Sequence, residues 1–327
     1  MAFLALIGAG APSQSETLRS VAQTYYDRVG QIAPLTGRDT TMDYYQRLLD
    51  DADSLNSPAP IPYTPELWQH AVQATAQLDL SVATQLLQRT FAPMGSIRGL
   101  GETFVRSSKD GTMQPVAVFV PSTYSPNKPA PLVVFLHGRL QPETRLLAQQ
   151  FITDMAEQDG TIIVAPYGRG YYDYQGAESD IYDTLAAAQQ AFNIDPHRQF
   201  LAGYSMGGFS VFMIAPMHPE DWSGVMSIAG SLLGSRADAV TTKLSRTKFY
   251  IVTGARDENV PTQYPTQTAV YLRNVGLPVT YYSQPDGTHY LISLRGILAQ
   301  AWGDMTRGVV GLPINLSGDG ELPEAVP

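Results

Sequence analysis

The sequence contains no cysteine. Disulfides, thiolate metal sites and a cysteine nucleophile are therefore excluded, in whatever compartment the chain resides. It lacks any apolar run approaching the roughly 20 residues that a membrane-spanning helix needs. Positive charge is scarce: 21 Lys and Arg stand against 30 Asp and Glu, a formal net charge of −9. That balance argues against a nucleic-acid or anionic-membrane partner and favours solubility. The five histidines show neither an H-x-x-x-H spacing nor a close His/Asp cluster, so no metal site is suggested. There is no G-x-x-x-x-G-K-S/T stretch, and Gly168-Arg169-Gly170 is too short for a phosphate loop.

What is present is 327 residues, 44% of them apolar, enough for one large α/β domain and an accessory segment. The first eleven residues are short, apolar and end in small side chains. They admit two readings. One is the remains of a secretory signal, which would make the protein secreted or periplasmic; the other is an apolar arm packed on the fold of a cytoplasmic protein. Residues 13–91 follow a helical rhythm. Ser13 with Glu16 forms a capping box, and Leu18, Val21, Ala22, Tyr25 and Val29 mark one face. A second helix is expected over 42–49. Thr64-Pro65-Glu66 starts a third, and a fourth is expected over 80–89. Nothing among them suggests chemistry. Residues 1–99 are read as a helical accessory segment that either caps a catalytic mouth or shapes an oligomer contact.

From about residue 100 the pattern changes. Stretches at 102–107 and 116–120, joined by the turn Lys109-Asp110-Gly111, and at 132–136, 161–165, 200–204, 225–229, 249–253 and 279–283 read as strands. Helical patterns over 143–158, 181–192, 266–274 and 290–306 alternate with the later ones. Strands alternating with helices predict a mostly parallel sheet covered on both faces. The domain is expected over 100–310, with a mobile Gly- and Pro-rich tail over 311–327.

The run Phe200-Leu201-Ala202-Gly203-Tyr204-Ser205-Met206-Gly207-Gly208 is a strand, a serine between glycines and an immediate helix, the grammar of a nucleophile elbow. Gly203 and Gly207 leave no Cβ where strand and helix pass closely. The Met206 amide opens the helix and is placed to donate to an oxyanion. A serine nucleophile needs a base, and the base an orienting acid. His70 lies in the N-terminal helices, His137 precedes the serine, His197 sits at the far end of the elbow strand, and His218 is carried away by the following helix. His289 alone follows the last strand at the serine's end. Asp257, on the loop after residues 249–253, is the expected acid, with Glu258 and Asp286 as alternatives. A second oxyanion donor is expected from the amide of Gly138 or Arg139. Their strand is expected to lie beside the elbow strand.

Together these motifs resemble an α/β-hydrolase of the esterase and prolyl-oligopeptidase-like serine-hydrolase type, over about residues 100–308. Leu136-His137-Gly138, Gly203-Tyr204-Ser205-Met206-Gly207-Gly208, Gly254 with Asp257, and Gly287 with His289 carry the likeness, in that order. The resemblance implies a Ser205/Asp257/His289 triad, an acyl-enzyme and no cofactor. The N-terminal helices differ from the propeller of true prolyl oligopeptidases, which favours an esterase over a peptidase. A binding module that keeps the fold without the chemistry is the other alternative. A small-molecule ester, or an ester-decorated molecule, is the expected substrate; the oligomeric state is left open. Tyr167, Tyr171, Tyr172 and Tyr174 crowd the loop after residues 161–165, read as the strand next to the elbow. They either stack on a sugar or aromatic acyl group or pack that loop. His137, Arg139 and Tyr204 are further candidate substrate contacts. Arg139 and Arg169 share that end of the sheet and are candidates to meet a carboxylate.

Overall fold

The computed structural model describes residues 12–170, 172–309, 316 and 320–325. The expected signal remnant (residues 1–11), Tyr171 and most of the expected mobile tail lie outside the described residues.

A single sheet of eight strands forms the framework, in the order β1-β2-β4-β3-β5-β6-β7-β8. The strands are β1 (Gly99–Arg106), β2 (Met113–Val120), β3 (Ala130–Leu136), β4 (Ile162–Pro166), β5 (Ile194–Tyr204), β6 (Gly224–Ile228), β7 (Lys248–Gly254) and β8 (Val279–Gln284). The β1–β2 and β2–β4 pairs are antiparallel; from β4 to β8 the sheet is parallel. The continuous apolar runs follow from burial on both faces. On β3, Leu132, Val134 and Leu136 enter one core cluster, whereas Val133 and Phe135 enter the other. The period-2 alternation of a strand sends neighbouring side chains to opposite layers.

Helices α7 (Glu178–Ala191), α8 (Met206–Ile214) and α10 (Gln263–Asn274) contribute to the first layer. The second takes α5 (Glu143–Leu147), α6 (Gln150–Asp159) and α11 (Arg295–Arg307). The pattern expected to run as one helix over 143–158 is divided at Gln149, whose backbone is extended; no Gly or Pro announces this break. A further short helix, α9 (Ala237–Lys243), follows β6. Strand β3 lies directly beside β5, with Leu136 opposite Gly203. β4 does not: β3 stands between it and the elbow strand, which corrects the expected adjacency.

Ahead of the sheet stand α1 (Gln14–Asp27), α2 (Val29–Thr36), α3 (Arg38–Ser54) and α4 (Pro65–Gln88). The Ser13–Glu16 capping box forms as expected, with the Ser13 amide donating to Glu16 Oε2 at 2.7 Å. Two expected helices merge in α4 because nothing near Asp79 breaks the chain. The intervening α2 was not expected as a separate helix; Pro34 sits within it. These helices share their own cluster around Leu18, Tyr25, Leu48, Val82 and Leu86. No helix among the described residues is long and apolar enough to cross a membrane.

A buried ionic cluster joins these helices to the sheet layers. Arg47 of α3 donates from Nη1 to Glu143 Oε1 of α5 at 2.7 Å and from Nη2 to Oε2 at 3.2 Å. The Tyr44 hydroxyl donates to the same carboxylate. Arg47 also meets Asp43 at 3.2 Å and Asp79 at 3.6 Å. Burial alone would raise the Glu143 pKa; the Arg47 charge and its hydrogen bonds outweigh that and hold it below the usual range. Burial pushes Asp79 and Glu102 the other way. Both carboxyl oxygens of Glu102 are buried without a hydrogen-bond partner.

Candidate active site

The chain turns from β5 to α8 through Ser205, which has φ 51° and ψ −114°. A non-glycine residue with positive φ is strained, and such strain persists where the surroundings over-determine it. Here the Ser205 amide donates to the Ile228 carbonyl of β6 at 2.8 Å. The flanking glycines explain themselves: a Cβ on Gly203 would run into the Gly207 carbonyl, and one on Gly207 into the Leu136 carbonyl. Gly208 adds a third close approach, since its Cβ would lie 2.7 Å from the Ile228 oxygen.

Two loops at the same end of the sheet bring the partners. The loop after β7 and the loop after β8 are tied together, the Ala255 amide donating to the Gln284 carbonyl at 2.9 Å and the Arg256 amide to the Gly287 carbonyl at 2.8 Å. Gly254 has no room for a Cβ against Gly287, so these loops pass in contact. His289 Nε2 lies 2.9 Å from Ser205 Oγ. Its Nδ1 lies 3.0 and 2.9 Å from the two oxygens of Asp257. The Asp257 side chain is fully buried, and the amides of Asn259 and Val260 donate to its Oδ1 at 2.9 and 2.8 Å. Tyr204 holds the loop from below, its hydroxyl donating to the His289 carbonyl at 2.5 Å. Burial, then the nearby Asp257 charge, raises the Tyr204 pKa and keeps it a donor. Of the alternative acids, Glu258 lines the open cavity, and Asp286 stands on the surface, where Gln284 donates to it at 2.6 Å.

Met206 is the first residue of α8, so its amide has no partner within the helix. The Gly138-Arg139 stretch passes close by: a Cβ on Gly138 would lie 2.7 Å from the Tyr204 ring and 3.4 Å from Ser205 Cβ. Leu140 follows with φ 58°, in a turn closed by the Gln141 amide donating to the Gly138 carbonyl at 3.2 Å.

Over Ser205 opens a cavity of about 1050 Å³, lined by Arg139, Tyr172, Tyr204, Met206, Phe209 and Arg236 among others. His137 and Tyr167 are absent from its wall. His137 is fully buried, with its ring nitrogens 2.9 and 2.8 Å from the carbonyls of Gly138 and Tyr167. Tyr167 is buried beside Tyr44, under the Arg47 guanidinium. Tyr171 lies outside the described residues. Tyr172 is exposed, with Arg139 5.1 Å from its ring centroid. Arg169 does not turn to the cavity; it is paired with Asp180 and with Asp110, the latter at 2.6 Å. The wall residues Phe209, Met213 and Arg236 were missed. Arg236 follows a parallel strand, and all such loops gather at one end of the sheet, a signal that could have found it.

A mostly parallel sheet with a serine on a strained strand-to-helix turn, and a histidine and carboxylate delivered by later loops, is an α/β-hydrolase. The Esterase family model matches residues 107–291, and the chain belongs to that family. Among curated proteins, the bifunctional acetylxylan esterase/xylanase XynS20E of Neocallimastix patriciarum is 30% identical over 112 residues. That match takes in 32% of this chain but only 16% of the relative. An S-formylglutathione hydrolase from Agrobacterium tumefaciens superposes with a TM-score of 0.53 at 16% identity, covering 65% of this chain and 95% of the other. A ferulic acid esterase from Anaeromyces mucronatus gives 0.51 at 18% identity, covering 62% and 88%. At such identities these two likenesses speak for the fold alone.

Proposed function

We propose that this protein is a serine hydrolase that cleaves carboxylic esters through an acyl-enzyme. The observation that carries the reading is the continuous relay from Ser205 Oγ through His289 to Asp257, each step within 3.0 Å. Ser205 Oγ attacks the acyl carbon while its proton passes to His289 Nε2. Asp257 accepts from Nδ1–H, fixes the tautomer and stabilises the imidazolium. The Met206 amide and that of Gly138 or Arg139 donate to the oxyanion. The C–O bond then breaks, and the alcohol leaves with the proton from Nε2. Water gives a proton to the same nitrogen, attacks the acyl carbon and releases the acid, returning Ser205. Loss of one oxyanion donor would cost roughly 3 kcal/mol of barrier.

The substrate is a small ester or an ester-decorated molecule. The activity named for the curated relative, on acetylxylan, makes acyl groups carried by carbohydrate the first class to try. Hydrolysis of a short-chain aryl ester by the wild type and by Ser205→Ala, side by side, is the test. Expected is a loss on the order of a million-fold, together with loss of fluorophosphonate labelling. Equal activity in both proteins, or no turnover of any ester, would sink the reading.

A further inference from the structure

We infer that the cavity over Ser205 takes an ester bearing an ionised carboxylate, which the Arg236 guanidinium binds. The inference rests on the hydrolase reading above and adds the substrate's charge. Arg236 ends the short turn Gly234–Arg236 after β6 and forms part of the cavity wall near Phe209 and Met213. It is half-buried. Among the described residues its hydrogen bond runs from Nη1 to the Phe209 carbonyl at 3.3 Å, and it forms no ion pair there; an acid, Glu324, lies against Gly234, two residues before it.

Two other arginines away from the cavity, both held in place by acids, show the contrast. Arg47 is paired with Glu143, and Arg169 with Asp110 and Asp180. Burying a guanidinium without an anion is costly, and its planar fork of five N–H donors matches a carboxylate bidentately. Desolvation, the one cause at work, lowers the Arg236 pKa, as expected of a cation lacking its counter-ion. The cavity's other charges are Arg139 and Arg256, opposed by Asp173 and Glu258. Both of those arginines are exposed, so solvent screens them.

The geometry also sets the reach. The Phe209 amide donates to the Ser205 carbonyl, so Phe209 lies one helical turn from the serine, about 6 Å along α8. The guanidinium lies beyond that turn, at the Phe209 carbonyl, so the carboxylate must stand several bonds from the ester carbonyl. The carboxylate can belong to the acyl chain or to the leaving alcohol, and two substrate pairs separate these sources.

The acyl-side pair is 4-nitrophenyl hydrogen adipate with 4-nitrophenyl hexanoate. The alcohol-side pair is 4-acetoxybenzoate with phenyl acetate. For each, the ratio of kcat/KM for the anionic over the neutral ester is measured in the wild type, Arg236→Gln and Arg236→Lys. In one pair the ratio is expected to fall by roughly tenfold or more in Arg236→Gln, through KM, and to recover partly in Arg236→Lys, as for loss of a charge-assisted hydrogen-bonded pair. The responding pair names the side. In the wild type, that ratio must also shrink as NaCl rises, a readout that needs no variant to fold. Ratios unmoved by both Arg236→Gln and salt would overturn the inference. If the neutral esters are meanwhile hydrolysed in a Ser205-dependent way, the hydrolase reading survives that failure. No turnover of any of the four esters would overturn both.

Discussion

Glu102 keeps a carboxyl out of water with neither oxygen hydrogen-bonded. Burial raises its pKa well above the ordinary value, and the neighbouring Glu143 and Asp79 charges add to the rise, with Arg47 opposing. The folded chain therefore holds a proton at Glu102 that the unfolded chain loses above about pH 4.3. Stability falls as pH rises through that window, until the folded pKa is reached, because the native state binds more protons. Glu102→Gln keeps the shape and removes the titration. A protonated carboxyl leaves an O–H unpartnered much as the amide leaves its N–H, so those costs nearly cancel. The difference is then the cost of protonation, about 1.4 kcal/mol per pH unit. Between pH 4.3 and pH 7 this sums to at most about 3 to 4 kcal/mol in favour of the variant, the full amount only if the folded carboxyl keeps its proton throughout. Urea unfolding at pH 4.5 and pH 7 tests it. The midpoints of variant and wild type are expected to coincide at the lower pH. At the higher, the variant's should stand above, by up to about 1 M at an m of roughly 3 kcal/mol/M. An equal gain at both pH values, or a loss at pH 7, would refute the neutral, buried carboxyl.

Asp257→Asn is expected to lower kcat by about 10⁴ with little change in KM, because an amide stabilises the wrong imidazole tautomer. Retained activity there, with loss in Glu258→Gln or Asp286→Asn, would move the acid to another position. Gly203→Ala drives a methyl into the Gly207 carbonyl. It should destabilise by at least 1 to 3 kcal/mol and displace Ser205, read as a lower melting temperature together with lost ester hydrolysis. An unchanged melt would show that strand and helix have room between them.

The inner strands were legible because burial on both faces demands uninterrupted apolar runs, whereas the edge strands β1 and β8, half-buried and mixed in sequence, carry a weaker signal. The meeting of Ser205, Asp257 and His289 was legible for a topological reason: loops after parallel strands gather at one end. The break expected between Leu78 and Leu80 does not exist: no Gly or Pro stands there, and α4 runs through. What stayed hidden was set by packing. Strand order places β3 between β4 and β5, which the chain order does not announce. His137 reads as a site residue from its place after a strand, yet its ring nitrogens face two backbone carbonyls within the core. Tyr167 likewise looks like a cavity residue until the helices ahead of the sheet are seen to cover it.

Those helices contribute no residue to the cavity wall, which argues against a lid, yet they hold Glu143 just downstream of the Gly138–Gln141 turn. This arrangement constrains the order of events during synthesis. Glu143 lies 96 residues after Arg47, so at about 5 to 20 residues per second it leaves the ribosome several seconds later. Through that interval α1 to α4 can collapse on their own apolar cluster, but the Arg47 guanidinium lacks Glu143 and faces the acids of these helices, Asp43 and Asp79 among them. Its bidentate partner, and with it the joint between the helices and the sheet, arrives with α5. The helices ahead of the sheet thus mature late, together with the strands that follow them, and both halves of the joint are expected to gain protection from hydrogen exchange in the same step.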